Sequence, residues 1–203
     1  MRLQALMVDV DGVIVIPRAG GWAADLERDL GLSVAVMQRQ FFQPHWADVV
    51  LGRAGLHERL GPVLAEHAPH LTSEDLAAYW FENDAALDHG LLDQLAALRA
   101  AGLPIHLATV QEHLRAEHLW TTLGLRERFD GIHYSADYGC GKPDLAFLEA
   151  VARRTGHAPA GLLLLDDKFA NVQAARAAGW LGALWDGTER LEAVLAREGV
   201  ELP

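Results

Sequence analysis

The sequence predicts a doubly wound parallel α/β sheet with a helical subdomain inserted after the first strand. Short apolar runs of strand length alternate with stretches of helical spacing. One run, Gly161 to Asp166, is apolar on both faces, as in a parallel sheet covered by helices. The segment 17–88 breaks the alternation and contains no convincing strand.

The elements follow in order. Leu3 to Val10 reads as a buried strand that runs into two acids and a glycine. Leu26, Leu30, Leu56, Leu60, Val63 and Leu64 have helical spacing, and Thr72-Ser73-Glu74-Asp75 opens a helix with a hydroxyl cap and acids in its first turn. Gly90 to Ala101 carries Leu91, Leu92, Leu95 and Leu98 on a helical stripe, with Gly102 placed to end it. Leu103 to Val110 is the second strand, Ile132 to Ser135 the third and Trp180 to Trp185 the fifth. Helices are expected over Glu112 to Leu123, Pro143 to Thr155, Ala170 to Ala178 and Thr188 to Arg197, with Pro143 in a first turn. The core is therefore 1–16 with 89–203, and 17–88 is a helical insertion.

Composition narrows the function. Across 203 residues, 51% are hydrophobic and 22% charged, which is globular rather than disordered. A net charge of −11 argues against general nucleic-acid binding, which needs a basic face. Cys140 is the single cysteine, so there is no disulfide framework. The start, Met1 to Asp9, lacks the long apolar core of a leader, and no run is long enough to span a membrane. A cytoplasmic monomer or homodimer acting on a small molecule is the expectation.

The polar residues fall where a parallel sheet keeps its ligands, beyond the carboxyl ends of the strands. Asp9 and Asp11 end the first strand, Thr109 the second, and Asp166 and Asp167 the fourth, while Lys142 opens the helix after the third. Four carboxylates repel one another unless a cation intervenes, and one lysine cannot neutralise four. An oxygen-rich cluster suits a hard divalent cation, Mg²⁺ foremost. With such an ion, a carboxylate can attack an anionic phosphate.

Val8-Asp9-Val10-Asp11-Gly12-Val13, Thr109, Gly141-Lys142-Pro143-Asp144 and Leu165-Asp166-Asp167 resemble, in order, the four motifs of the haloacid dehalogenase-like (HAD) hydrolases. The run from Asp166 to Gly179 is similar to the branch with a small helical cap between the first two motifs, and 17–88 has the place and length of that cap. The resemblance implies a Rossmann-like core and a Mg²⁺-dependent phosphatase working through an aspartyl-phosphate. It makes Asp9 the nucleophile and Asp11 the general acid and base, with the Asp11 backbone carbonyl touching the metal. Thr109 and Lys142 would bind phosphate. Asp167 would ligate the metal directly, Asp166 directly or through water, with Gly12 and Asn171 supporting. An acid at position 11 favours phosphate esters over carbon–halogen bonds. A sugar-phosphate mutase, a 2-haloacid dehalogenase and a catalytically idle partner-binding protein are the alternatives. The chain departs from the branch at Val110, where a small polar residue often follows the hydroxyl.

Other signals have plainer explanations. His113 and His118 are five apart, which misses the spacing of a helical zinc pair, and His67 and His70 have no third ligand. Gly141-Lys142-Pro143 lacks the glycine and hydroxyl of a P-loop. Cys140 has no base beside it. Trp22, Trp46 and Trp80 are expected to pack between helices. Arg18, His45 and Arg53 are read first as a solvated face and second as a substrate grip.

Overall fold

The computed structural model describes residues 3–200. Met1, Arg2 and residues 201–203 lie outside the described residues, and with them the beginning of the leader reading and both ends of the expected core. Five parallel strands, β1 (Ala5–Val8), β2 (Ile105–Thr109), β3 (Gly131–Tyr134), β4 (Leu162–Asp166) and β5 (Leu181–Leu184), form one sheet in the order β3-β2-β1-β4-β5. The order reverses at β1, so its carboxyl end opens between β2 and β4. That is where an open α/β sheet leaves a crevice.

β1 and the leucine run of β4 are apolar on both faces because both faces are covered. Leu6 and Val8 of β1 and Leu163 and Leu165 of β4 point to one side. There they meet α6 (His89–Ala100) and α11 (Leu191–Arg197) through Leu91, Leu92, Leu95, Leu98, Leu191 and Leu195. Ala5, Met7, Leu162 and Leu164 point to the other side, against Phe147, Leu148 and Val151 of α9 (Leu145–Thr155) and Ala175 of α10 (Phe169–Ala177). Alternation along a strand sends neighbours to opposite layers, so a strand buried on both sides must be apolar throughout.

Between β1 and α6 the chain forms α1 (Leu26–Leu30), α2 (Val34–Val36), a π-helical stretch (Met37–Phe42), α3 (Gln43–Val50), α4 (Leu56–His67) and α5 (Ser73–Asn83). These enclose their own apolar cluster, with Leu26, Phe41, Leu60, Leu64, Leu76 and Trp80 buried in it. Trp22 stacks on Trp80 with ring centroids 4.9 Å apart, and Trp46 packs against Trp80 at 5.5 Å. Thr72 caps α5 by accepting from Asp75 N at 3.0 Å, and the Asp75 carboxylate accepts from Thr72 N at 3.1 Å. The chain leaves the sheet and returns to it side by side. Ile16 N donates to Ala86 O and Asp88 N to Ile14 O, both at 2.8 Å.

Several expected boundaries are corrected. Ser135 does not end β3 but begins the short helix α8 (Ser135–Tyr138), where its hydroxyl reaches Val50 O at 2.6 Å. Glu112 caps rather than joins the next helix, accepting from Leu114 N and Arg115 N. That helix, α7 (His113–Glu117), widens into a π-turn over His118–Thr122. Lys142 and Pro143 precede α9 rather than opening it, because the Asp144 side chain accepts from Ala146 N at 2.9 Å and sets the first turn at Leu145. The last helix begins at Leu191, after Arg190, and not at Thr188. Trp180 and Trp185 flank β5 rather than forming its ends. No helix among the described residues is long and apolar enough to cross a membrane.

The sheet edge carries a pH liability. His133 of β3 is buried, its Nδ1 lies 2.7 Å from Tyr138 Oη, and its Nε2 has no partner among the described residues. Burial pushes its pKa down to about 4, helped by His106 and Arg154. The unfolded chain takes up this proton below about pH 6.5 and the folded chain only near 4, so stability declines between those values as pH falls. At pH 5 this residue should cost about 2 kcal/mol relative to pH 8. Urea midpoints at the two pH values should show His133→Gln losing less stability than the parent; an identical decline would assign the effect elsewhere.

Candidate active site

The carboxyl ends of β1, β2 and β4 gather most of the expected site residues. Asp9 directly follows β1, and its N–H extends the ladder to Leu165 O at 2.9 Å, which places it beside Asp166 at the end of β4. Asp9 is buried, and its Oδ1 accepts from Val10 N at 2.8 Å. Lys142 Nζ sits between two carboxylates, 2.9 Å from Asp9 Oδ1 and 2.5 Å from Asp166 Oδ2. Its side chain is 1% exposed. Burial alone would strip its charge, but Asp9 and Asp166 outweigh that and hold its pKa above the ordinary lysine value.

Asp166 is fully enclosed. Asn171 Nδ2 donates to both its oxygens at 2.9 and 3.0 Å, and Lys168 N donates to Oδ1 at 2.8 Å. With Lys142 these donors occupy Asp166 from several sides, but burial outweighs them and, with Asp9 beside it, holds its carboxyl pKa above the ordinary value. Asp167 is different: it is partly exposed, and its Oδ1 is buried with no partner among the described residues. Asp9, Asp166 and Asp167 each offer an oxygen, and the three atoms lie within 4.8 Å of one another. Three carboxylates against one ammonium leave two negative charges unmatched. That excess, the orphaned Asp167 oxygen and an all-oxygen donor set fit a hard divalent cation such as Mg²⁺. Gly12 makes the approach possible. Its φ of +84° suits glycine, and an added Cβ would collide with the Asp167 carboxylate.

Thr109 is buried at the end of β2, and its Oγ1, a donor, has no partner among the described residues. Val110 supplies no polar side chain. The Asp11 carboxylate is not part of the three-acid group. Its Oδ2 accepts from Gln111 Nε2 at 2.6 Å, while its Oδ1 is buried and unpartnered. Desolvation pushes the Asp11 pKa up to about 6, against the pull of Arg115, with Asp9 and Asp84 adding to the rise.

The remaining candidates stand elsewhere. Arg18 is taken up by Asn83 Oδ1 at 2.5 Å and Asp25 Oδ2 at 2.6 Å, and Arg53 faces Asp48 at 3.7 Å. Burial raises the Cys140 thiol pKa, which suits an inert thiol. Sequence reasoning missed Gln111 and Arg115. Arg115 is 2% exposed and bonds the backbone carbonyls of Phe81, at 3.2 Å, and Asp84. The two-residue step that pairs Asp11 with Asp9 also separates Gln111 from Thr109, and that was the available signal.

Two curated relatives match part of the chain. A sesquiterpene phosphatase of Aspergillus oryzae is 32% identical over 119 residues, covering 55% of this chain and 58% of that protein. An enolase-phosphatase of a Bradyrhizobium strain is 32% identical over 105 residues, covering 49% and 45%. The chain thus spans about half the length of the curated relatives it matches. A HAD family enzyme of Bacteroides thetaiotaomicron, solved with magnesium and inorganic phosphate, shares the fold with a TM-score of 0.79 at 15% identity, over 94% of this chain and 98% of that one. Residues 3–179 match the family model for haloacid dehalogenase-like hydrolases, and the chain belongs to that family.

Proposed function

We propose that this protein is a Mg²⁺-dependent phosphatase of small organic phosphate monoesters, with a core of 1–16 and 89–203 and a helical cap of 17–88. The observation that carries the reading is the three-acid group of Asp9, Asp166 and Asp167, whose oxygens lie within 4.8 Å, with the free oxygen of Asp11 two residues along. The phosphatase names of the two curated relatives support it.

Asp9, Asp167 and Asp166 would hold the ion, with the Asp11 backbone carbonyl. When bound, the cation supplies positive charge that lets an anionic carboxylate approach an anionic phosphate. The residues of the chain then divide the work. Thr109 Oγ1 donates to a phosphate oxygen, and Lys142 keeps its ammonium beside Asp9 and the phosphate. An Asp9 carboxylate oxygen attacks phosphorus, the ester bond breaks, and Asp11 hands its proton to the departing alkoxide. Asp11, now ionised, takes a proton from water as that water attacks the phosphorus of the aspartyl-phosphate. Inorganic phosphate and the Asp9 carboxylate are regenerated. A carboxyl pushed to about 6 is protonated in an appreciable fraction near neutrality, which suits both duties. A departing halide needs no proton, so an acid in this position favours phosphate esters over carbon–halogen bonds.

Inorganic phosphate release should require a divalent cation and stop with a chelator. Asp167→Asn should raise the Mg²⁺ concentration for half-maximal rate at least ~10-fold while the fold stays intact. Full activity in chelator would overturn the metal assignment.

A further inference from the structure

Gln111 has no role in the proposed chemistry, yet it is 4% exposed and its amide is aimed at the one carboxylate that must handle a proton. Its backbone is firmly held. The Gln111 carbonyl accepts from Ala136 N at 3.2 Å and lies 3.1 Å from Ser135 Oγ. The next residue, Glu112, fixes the following turn by accepting from Leu114 N at 2.9 Å and Arg115 N at 2.5 Å. The side chain is itself buried, and its Nε2 is held on Asp11 Oδ2 at 2.6 Å.

That contact separates the two oxygens of Asp11. Oδ2 receives the Gln111 N–H, and an oxygen facing an N–H cannot carry a proton pointed along the same line. Oδ1 is buried and without a partner among the described residues. We propose that Gln111 is a positioning residue for Asp11: by holding Oδ2 it directs the transferable proton to Oδ1, where it meets the leaving oxygen of the substrate. The inference rests on Asp11 being the general acid of a phosphatase.

General acid catalysis matters most when the leaving group is a strong base. An alkoxide needs the proton; p-nitrophenolate leaves without it. The quantity to compare is kcat/KM, which covers phosphoryl transfer to Asp9 and not the later hydrolysis. For Gln111→Met, kcat/KM should fall roughly 10- to 100-fold with 2-phenylethyl phosphate and about 3-fold or less with p-nitrophenyl phosphate. Gln111→Leu, which also removes the donor, should show the same selectivity and decides the matter if the Met variant does not fold. A merely structural role would lower both substrates equally; an equal fall, or none, overturns the proposal. Asp9→Asn run alongside tests the parent reading. If it keeps activity, the phosphatase assignment fails; if it is inactive while Gln111→Met shows no selectivity, only this inference fails.

Discussion

Asp9→Asn should lower the turnover of any phosphate ester the enzyme accepts by roughly 10⁴-fold or more, about 5.5 kcal/mol of transition-state stabilisation. The amide is the same size as the carboxylate, and its oxygen can still accept from Val10 N and face Lys142. What it would lose is the negative oxygen proposed to attack phosphorus. The change also removes one of three acids crowded at the ends of β1 and β4, so the melting temperature should stay level or rise. Phosphate release assays paired with thermal melts check both halves. Retained activity would move the nucleophile elsewhere; a collapse in melting temperature would make the loss of rate uninformative and call for Asp9→Ser instead.

The candidate site residues were legible because β1 and β4 are apolar up to the acids at their carboxyl ends. In runs as apolar as Leu162–Asp166, the acid that closes the strand stands out, and the same holds for Thr109 at the end of β2. The helical run between β1 and α6 was legible by default, since 17–88 lacks strand patterning. What could not be read depends on pairings between distant segments. Ser135 looks like a strand residue until its hydroxyl meets Val50, 85 positions earlier. Arg115 looks like an exposed helix residue until Phe81 and Asp84 arrive to surround it. Gln111 gains meaning only through Asp11, 100 positions away. Pro143 misled for a local reason: proline suits a first helical turn, but Asp144 is the better cap and took the position next to it.

Lys142→Met tests the balance of charge on which the site stands. Both partners of this ammonium are buried, with side-chain exposures of 5% for Asp9 and 0% for Asp166. Removing it leaves two neighbouring carboxylates in a poorly solvated crevice, a loss of about 3–5 kcal/mol in the metal-free protein. The sign with pH follows from the same carboxylates. Burial raises the Asp166 carboxyl pKa even beside Lys142, so losing the ammonium costs most where Asp166 would ionise unpaired and least in acid, where it carries a proton. The stability gap between variant and parent should therefore narrow as pH falls. Mg²⁺ acts in the opposite order: the site now carries three unmatched charges rather than two, so the ion should raise the melting temperature of the variant more than that of the parent. Phosphate release should remain poor even with the ion bound, because the ammonium proposed to accompany the phosphate is gone. Structural charge and catalytic charge thereby separate into two measurements. A variant as stable and as active as the parent would show that Lys142 serves neither purpose, and the arrangement of Asp9, Lys142 and Asp166 would need another explanation.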